Sequence, residues 1–219
     1  MRVVEIFDSI DGEGLRAGRL ATFIRLAGCN LRCSYCDTGY ALSRDAGTEM
    51  TREEVLRAAA APGNRCITVT GGEPLATEAG RDLCHALLER GFDVNIETNG
   101  SISVEPFLSY PNALITLDWK TPSSGCNARM GGHELPLRRQ DVLKIVMTDA
   151  DRPAVKEHLL ALRGRCGAQI YLSPVYGGME PAGLVDFMKE LRTAGIDMGR
   201  VRMQLQLHKY VWDPQRRGV

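Results

Sequence analysis

The chain has no excess of either charge: 27 Lys and Arg stand against 27 Asp and Glu, for a formal net charge of zero. That balance argues against a basic nucleic-acid-binding face and against an acidic tail. No apolar run approaches the roughly 20 residues of a membrane-spanning helix, so neither nucleic acid nor membrane is expected as a partner. The start, Met1 to Asp8, carries Glu5 and Asp8 where a signal peptide has its apolar stretch, and a cytoplasmic location is expected. Repeats, low-complexity tracts and a linker are lacking too, so residues 1–219 are read as one domain. What is present is an average globular composition, 44% hydrophobic and 25% charged. A domain of this size buries about 70% of its unfolded surface and needs no disulfide staple. Seven cysteines make an odd number, and Cys29, Cys33 and Cys36 crowd into eight positions. That arrangement points to metal chemistry rather than to a secreted disulfide framework.

Short β-branched runs predict strands at Val3 to Phe7, Thr22 to Leu26, Cys66 to Thr70, Asp93 to Glu97, Ala113 to Asp118, Val142 to Met147, Gln169 to Leu172 and Val201 to Leu207. Helical patterns lie between them. Thr51 and Glu54 have capping-box spacing, Leu83 and Leu87 share a face, as do Val155, Leu159 and Leu162, and Leu184, Phe187, Met188 and Leu191 repeat at i, i+3, i+4 and i+7. Strand and helix alternating over most of the chain predict an α/β fold with a parallel sheet whose carboxyl ends share one rim. A closed eight-unit barrel takes about 250 residues, so the expectation is a truncated, partial TIM-type (β/α) barrel.

Cys29, Cys33 and Cys36 follow one predicted strand directly and offer three soft thiolate ligands from one loop. Zinc would want a fourth ligand, and none of the four histidines lies within 45 residues of Cys36. The other reading is a cubane cluster with one iron left open. After the next predicted strand comes Gly71-Gly72-Glu73-Pro74, where glycines permit close approach of backbone to a ligand and a carboxylate can accept from an ammonium. A tight strand-to-helix turn explains the same residues without a ligand.

The Cys-x3-Cys-x2-Cys loop followed by Gly-Gly-Glu-Pro resembles the radical S-adenosylmethionine (SAM) superfamily. Further segments narrow the resemblance: Ser9 to Gly14, Thr22 to Cys29, Cys36-Asp37-Thr38, Ile96 to Gly100, and Gln206 to Tyr210. Together they resemble the 7-carboxy-7-deazaguanine synthases of the queuosine and 7-deazapurine pathway, over nearly the whole chain. The resemblance implies a radical SAM core, a 4Fe-4S cluster, SAM and Mg2+. It also implies a lyase that turns 6-carboxy-5,6,7,8-tetrahydropterin into 7-carboxy-7-deazaguanine and ammonia, reduced flavodoxin or ferredoxin as electron donor, and a homodimer.

Carried over residue by residue, the resemblance makes Cys29, Cys33 and Cys36 cluster ligands and Thr38 the magnesium ligand. Tyr35, Asp37, Gly72, Glu73, Asp118, Lys120, Ser173, Pro174, Val175 and Tyr176 would hold SAM. Ile10, Asp11, Gly12, Glu13, Arg25, Thr70 and Asn99 would contact substrate. Arg25 suits the substrate's carboxylate, because a guanidinium binds one bidentately. Glu97 and Asn99, two apart on a strand, are expected to face the rim together as hydrogen-bonding partners of the pterin, with Glu97 catalytic. His208 is the second catalytic candidate, able to order substrate or move a proton. The chain departs from the common family pattern at Asp11, where Gln is frequent, at Asp118-Trp119, where Ser-Pro is frequent, and in a tail that runs on to Val219. Two other functions fit the cysteines: a glycyl-radical activase with a similar core, and a non-enzymatic zinc or iron–sulfur protein.

Overall fold

A computed structural model describes residues 1–219. In chain order the elements are β1 (Arg2–Ile10), β2 (Leu20–Leu26), β3 (Thr48–Glu49), α1 (Arg52–Ala60), β4 (Cys66–Gly71), α2 (Glu78–Glu89), β5 (Asp93–Thr98), β6 (Ala113–Asp118), β7 (Val142–Met147), α3 (Arg152–Ala161), β8 (Gln169–Pro174), α4 (Pro181–Thr193), β9 (Val201–Met203) and α5 (His208–Val211). They form one nine-stranded sheet in the order β3-β1-β2-β4-β5-β6-β7-β8-β9. The sheet is open, with β3 and β9 at its two edges.

From β2 onward every neighbouring pair is parallel, joined by long crossovers that carry an α-helix except between β5 and β6 and between β6 and β7. The expectation of a parallel sheet fails at one edge. There β1 runs antiparallel to both β2 and β3, because the chain returns from β1 to β2 through a short connection with no helix. Fully buried Ile67, Val69, Ile96, Ile115 and Ile145 form the helix-facing side of the sheet, met by Leu83 and Leu87 of α2 and Phe187 of α4. The capping box holds α1: Thr51 Oγ1 accepts from the Glu54 amide at 3.3 Å and Glu54 Oε2 from the Thr51 amide at 2.8 Å.

The last strand is shorter than its alternation predicts, ending at Met203 instead of Leu207. Residues beyond it are drawn across to the carboxyl end of β1. Gln204 Oε1 accepts from the Gly14 amide at 2.7 Å, and the Leu207 amide donates to Gly12 O at 3.1 Å. These bonds span the open side of the sheet and carry the C-terminal residues to the rim. No helix is long and apolar enough to cross a membrane.

Candidate active site

At that rim the sheet encloses a cavity of about 590 Å³. Its first wall is the segment after β2. The amides of Gly28 and Cys29 donate to Ala41 O and Leu42 O, at 2.8 and 3.2 Å, closing the cysteine loop on itself. Cys29, Cys33 and Cys36 all line the cavity as free thiols. Cys29 Sγ accepts from the Leu31 amide at 3.4 Å and from Asn99 Nδ2 at 3.7 Å. Burial holds the Cys29 thiol above its ordinary value and pushes Cys33 up to about 12, so a thiolate there needs a metal to stabilise it. Three soft donors on one cavity wall fit a cluster that keeps one iron open to a ligand.

The two glycines after β4 pack against this loop. A Cβ on Gly71, whose φ is +143°, would meet Leu26 O at 2.1 Å, and one on Gly72 would meet Gly28 O at 2.2 Å. The amides of Gly72 and Glu73 donate to Leu26 O and Gly28 O at 3.0 and 2.8 Å. Glycine is therefore required here by the close approach of two loops, while Gly72 still lines the cavity.

The Glu73 carboxylate corrects an expectation, since it does not reach the cavity. It is 2% exposed, with Oε1 accepting from the Leu75 amide and the Thr98 hydroxyl and Oε2 from the Asn99 amide. Three donors engage it, and through them it fastens the end of β4 to the end of β5. Asn99 does line the cavity, on the side of the cysteine loop, its Nδ2 donating to Asn30 Oδ1 at 2.9 Å as well as to Cys29.

The opposite wall is a network of charges. Lys144 Nζ lies 2.9 Å from Glu13 Oε2 and 3.6 Å from Asp118 Oδ2, which also takes Lys120 Nζ at 2.8 Å. Glu97 faces this network. Burial raises its pKa, opposed by the Lys144 ammonium and by a hydrogen bond from Thr70. Asp118 Oδ1 is buried without a partner, an open acceptor at the cavity wall that suits a ligand hydroxyl such as a ribose donates. Tyr35 crosses to this wall, its hydroxyl donating to Val146 O at 3.2 Å.

His208 sits beside Gly12, where a Cβ would come within 2.7 Å of His208 Nδ1. Burial lowers the imidazole's pKa, which keeps it neutral at physiological pH. Thr38 Oγ1 donates to Asp37 Oδ1 at 3.0 Å, and Asp37 Oδ2 takes Lys209 Nζ at 2.9 Å.

Ile10, Gly12, Glu13, Arg25, Thr70, Val175 and Tyr176 line the cavity as the sequence reading expected, and three other residues do not. Asp11 is 1% exposed, its Oδ1 accepting from the Thr68 hydroxyl at 2.7 Å. Ile10 and Gly12 on either side of it line the cavity, and Asp11 itself does not. Ser173 is fully buried, its hydroxyl donating to Gln204 O, and Pro174 borders a separate smaller cavity.

Sequence reasoning missed Lys144, Tyr40 and the tail Pro214 to Val219, all of which line the cavity. Lys144 left one signal, a lone lysine inside the wholly buried strand Val142 to Met147.

The radical SAM superfamily model matches residues 23–148. The 7-carboxy-7-deazaguanine synthase of Clostridium acetobutylicum is 40% identical over 223 residues, covering 100% of this chain and 99% of its own length. The chain belongs to the 7-carboxy-7-deazaguanine synthase family. The relative of that name from Chlorobaculum tepidum is 38% identical, covering 100% of this chain and 97% of its own. Among solved structures, QueE from Escherichia coli superposes with a TM-score of 0.67 at 25% identity, covering 94% of each chain. Membership in this radical SAM family makes a 4Fe-4S cluster and SAM the cofactors, and the three cavity thiols and the open Asp118 acceptor fit them. It does not favour the activase or the zinc protein.

Proposed function

We propose that the chain converts 6-carboxy-5,6,7,8-tetrahydropterin into 7-carboxy-7-deazaguanine and ammonia, the synthase activity for which its family is named. The observation that carries this is a single cavity lined at once by Cys29, Cys33 and Cys36, by Arg25, by Glu97 and by His208. Cluster and SAM, when bound, supply a hydrogen-abstracting adenosyl radical; the protein binds, orients and moves protons. Cys29, Cys33 and Cys36 hold the iron. The Gly72 backbone, Tyr35, Asp37, Asp118, Lys120, Val175 and Tyr176 hold SAM, with Asp118 Oδ1 taking a ribose hydroxyl. Arg25 takes the substrate carboxylate, while Ile10, Gly12, Glu13 and Thr70 border the pterin.

Release of ammonia needs a proton delivered to the departing nitrogen. Glu97 is suited to this, because burial raises its pKa and so favours the protonated form that a proton donor needs, and the Thr70 hydroxyl holds it in place. Neutral His208, packed on Gly12, orders the ring.

Thr38 offers one oxygen for Mg2+, with substrate and water supplying the rest. Residues 1–219 act as one radical SAM domain, in a cytoplasmic homodimer reduced by flavodoxin or ferredoxin. Anaerobic incubation of the reconstituted protein with reductant, SAM, Mg2+ and the carboxypterin tests the reading. The expected result is 7-carboxy-7-deazaguanine and ammonia in equal amounts, and an intact cluster that yields neither would overturn it.

A further inference from the structure

At the β1 and β2 end, the cavity holds more positive charge than the roles above use. Arg25 is largely compensated inside the protein: its Nε donates to Glu5 Oε1 at 2.6 Å, and the Tyr40 hydroxyl donates to the same oxygen at 2.8 Å. The four N–H bonds on its two terminal nitrogens have no protein acceptor, so the fork that would grip a carboxylate stays free. A second guanidinium comes from the tail. Arg217 lies over the Tyr40 ring with Cζ 3.9 Å from the centroid, and Arg25 Cζ is 5.9 Å from the same centroid. Both arginines line the cavity, and Arg217 has neither an ion-pair partner nor a hydrogen-bond acceptor in the chain.

Two guanidiniums stand over one aromatic ring, and only Arg25 has a carboxylate, that of Glu5, within ion-pair distance. A carboxylate is the anion that matches two forked donors. The tail is held in reach by the bonds from Gln204 and Leu207 to the end of β1, which bring the chain end across the open side of the sheet. Tyr40 is the platform: its phenol is anchored on Glu5, which leaves its ring face to the cation.

We infer that Arg217 is a substrate-binding residue that closes with Arg25 on the carboxylate of the pterin, a two-arginine clamp that selects carboxylated pterins over uncharged ones. The inference rests on the proposed synthase activity. Arg25, compensated by Glu5, fixes the site; Arg217, uncompensated, supplies the net charge.

The test compares holoenzyme Arg217→Met, which keeps an apolar stem on Tyr40 without the charge, with Arg217→Lys. For 6-carboxytetrahydropterin the Met variant should raise KM by about 10- to 100-fold, the range for loss of a charged hydrogen-bonding partner, with kcat within about twofold. Lys should recover part of the loss. The 6-carboxamide analogue should bind equally to wild type and the Met variant, so discrimination against it should fall by the same factor as the carboxylate's KM rises. Unchanged KM in Arg217→Met, or an equal loss for the carboxamide, would overturn the clamp. Equilibrium dialysis of the carboxypterin against each variant reports on the clamp whether or not product forms. Wild type that binds the pterin but makes no deazapurine would instead count against the synthase reading.

Discussion

The two walls of the cavity are built by different means. The cysteine wall is made of backbone: Gly28, Cys29, Gly72 and Glu73 are all held by main-chain hydrogen bonds, and the one carboxylate among them, on Glu73, is engaged by three donors inside the protein. The facing wall is made of side chains reaching in from far apart, Glu13 from beyond β1, Glu97 from β5, Asp118 from β6 and Lys144 from β7. A backbone wall fixes the iron in one place and tolerates no added atoms. A side-chain wall sets charge and proton affinity, and it changes by degrees when one member is removed.

Gly72→Ala is the harshest test of that contrast. The new methyl would stand 2.2 Å from Gly28 O, which is backbone and cannot swing aside. Displacing the loop costs roughly 3 kcal/mol, and the thiols lose their common wall. Iron bound after anaerobic reconstitution should drop to a small fraction of the wild-type amount. Full iron content in a folded variant would show that the cysteine wall is not rigid.

Lys144→Met attacks the other wall and should leave the iron untouched. Removing the cation strands Glu13, while Asp118 keeps Lys120, a loss of about 3 kcal/mol for a broken buried pair, visible in thermal denaturation. Lys144 also lowers the pKa of Glu97, so its removal lets that pKa rise. With Glu97 as the acid, activity declines as pH climbs through its pKa, and the alkaline limb of kcat/KM should move to higher pH in the variant. An unmoved limb would detach Glu97 from the proton transfer.

The same contrast explains what the sequence disclosed. The cysteine wall was readable because its parts are short and contiguous: Cys29 to Cys36 on one loop, Gly71 to Pro74 on the next, each at a strand end that β-branched residues announce. Even there the motif did not say which way Glu73 points, since that depends on the amides of Leu75 and Asn99 on two different segments. The charged wall was readable only in pieces. Lys144 meets Glu13 across 131 positions of sequence, and no local pattern encodes such a pair. The early end of β9 escaped for a related reason: it is set by what the chain bonds to at a distance, Gly12 and Gly14 above all.

Gly12→Ala probes the contact where the tail meets β1. Its Cβ would come 2.7 Å from His208 Nδ1, a ring at the end of a side chain that can rotate away. The fold should therefore survive with little change in melting temperature. The imidazole would be displaced from the substrate, and kcat should fall by about tenfold, at the lower end of what a misplaced catalytic group costs. Wild-type kcat would show that His208 does not order the ring.

Asp11→Asn should have the smallest effect, and it separates a residue near the site from a residue of the site. Burial raises the Asp11 carboxyl from 3.8 to about 7, helped by the charge of Glu97 and opposed by the Thr68 hydrogen bond, and its Oδ2 is buried without a partner. Because the folded pKa lies above the unfolded one, the folded state binds this proton more tightly. The destabilisation is absent below about pH 4, grows as pH rises from about 4 to 7, and is complete above that. Asn cannot ionise, and its carbonyl can still accept from Thr68. The variant should thus melt a few degrees above wild type at pH 8 and lose that advantage at pH 5. Since Asp11 does not line the cavity, KM for the pterin should stay unchanged. A raised KM would bring Asp11 into the substrate site after all, and a melting difference independent of pH would show that the carboxyl is not carrying the proton that its burial imposes.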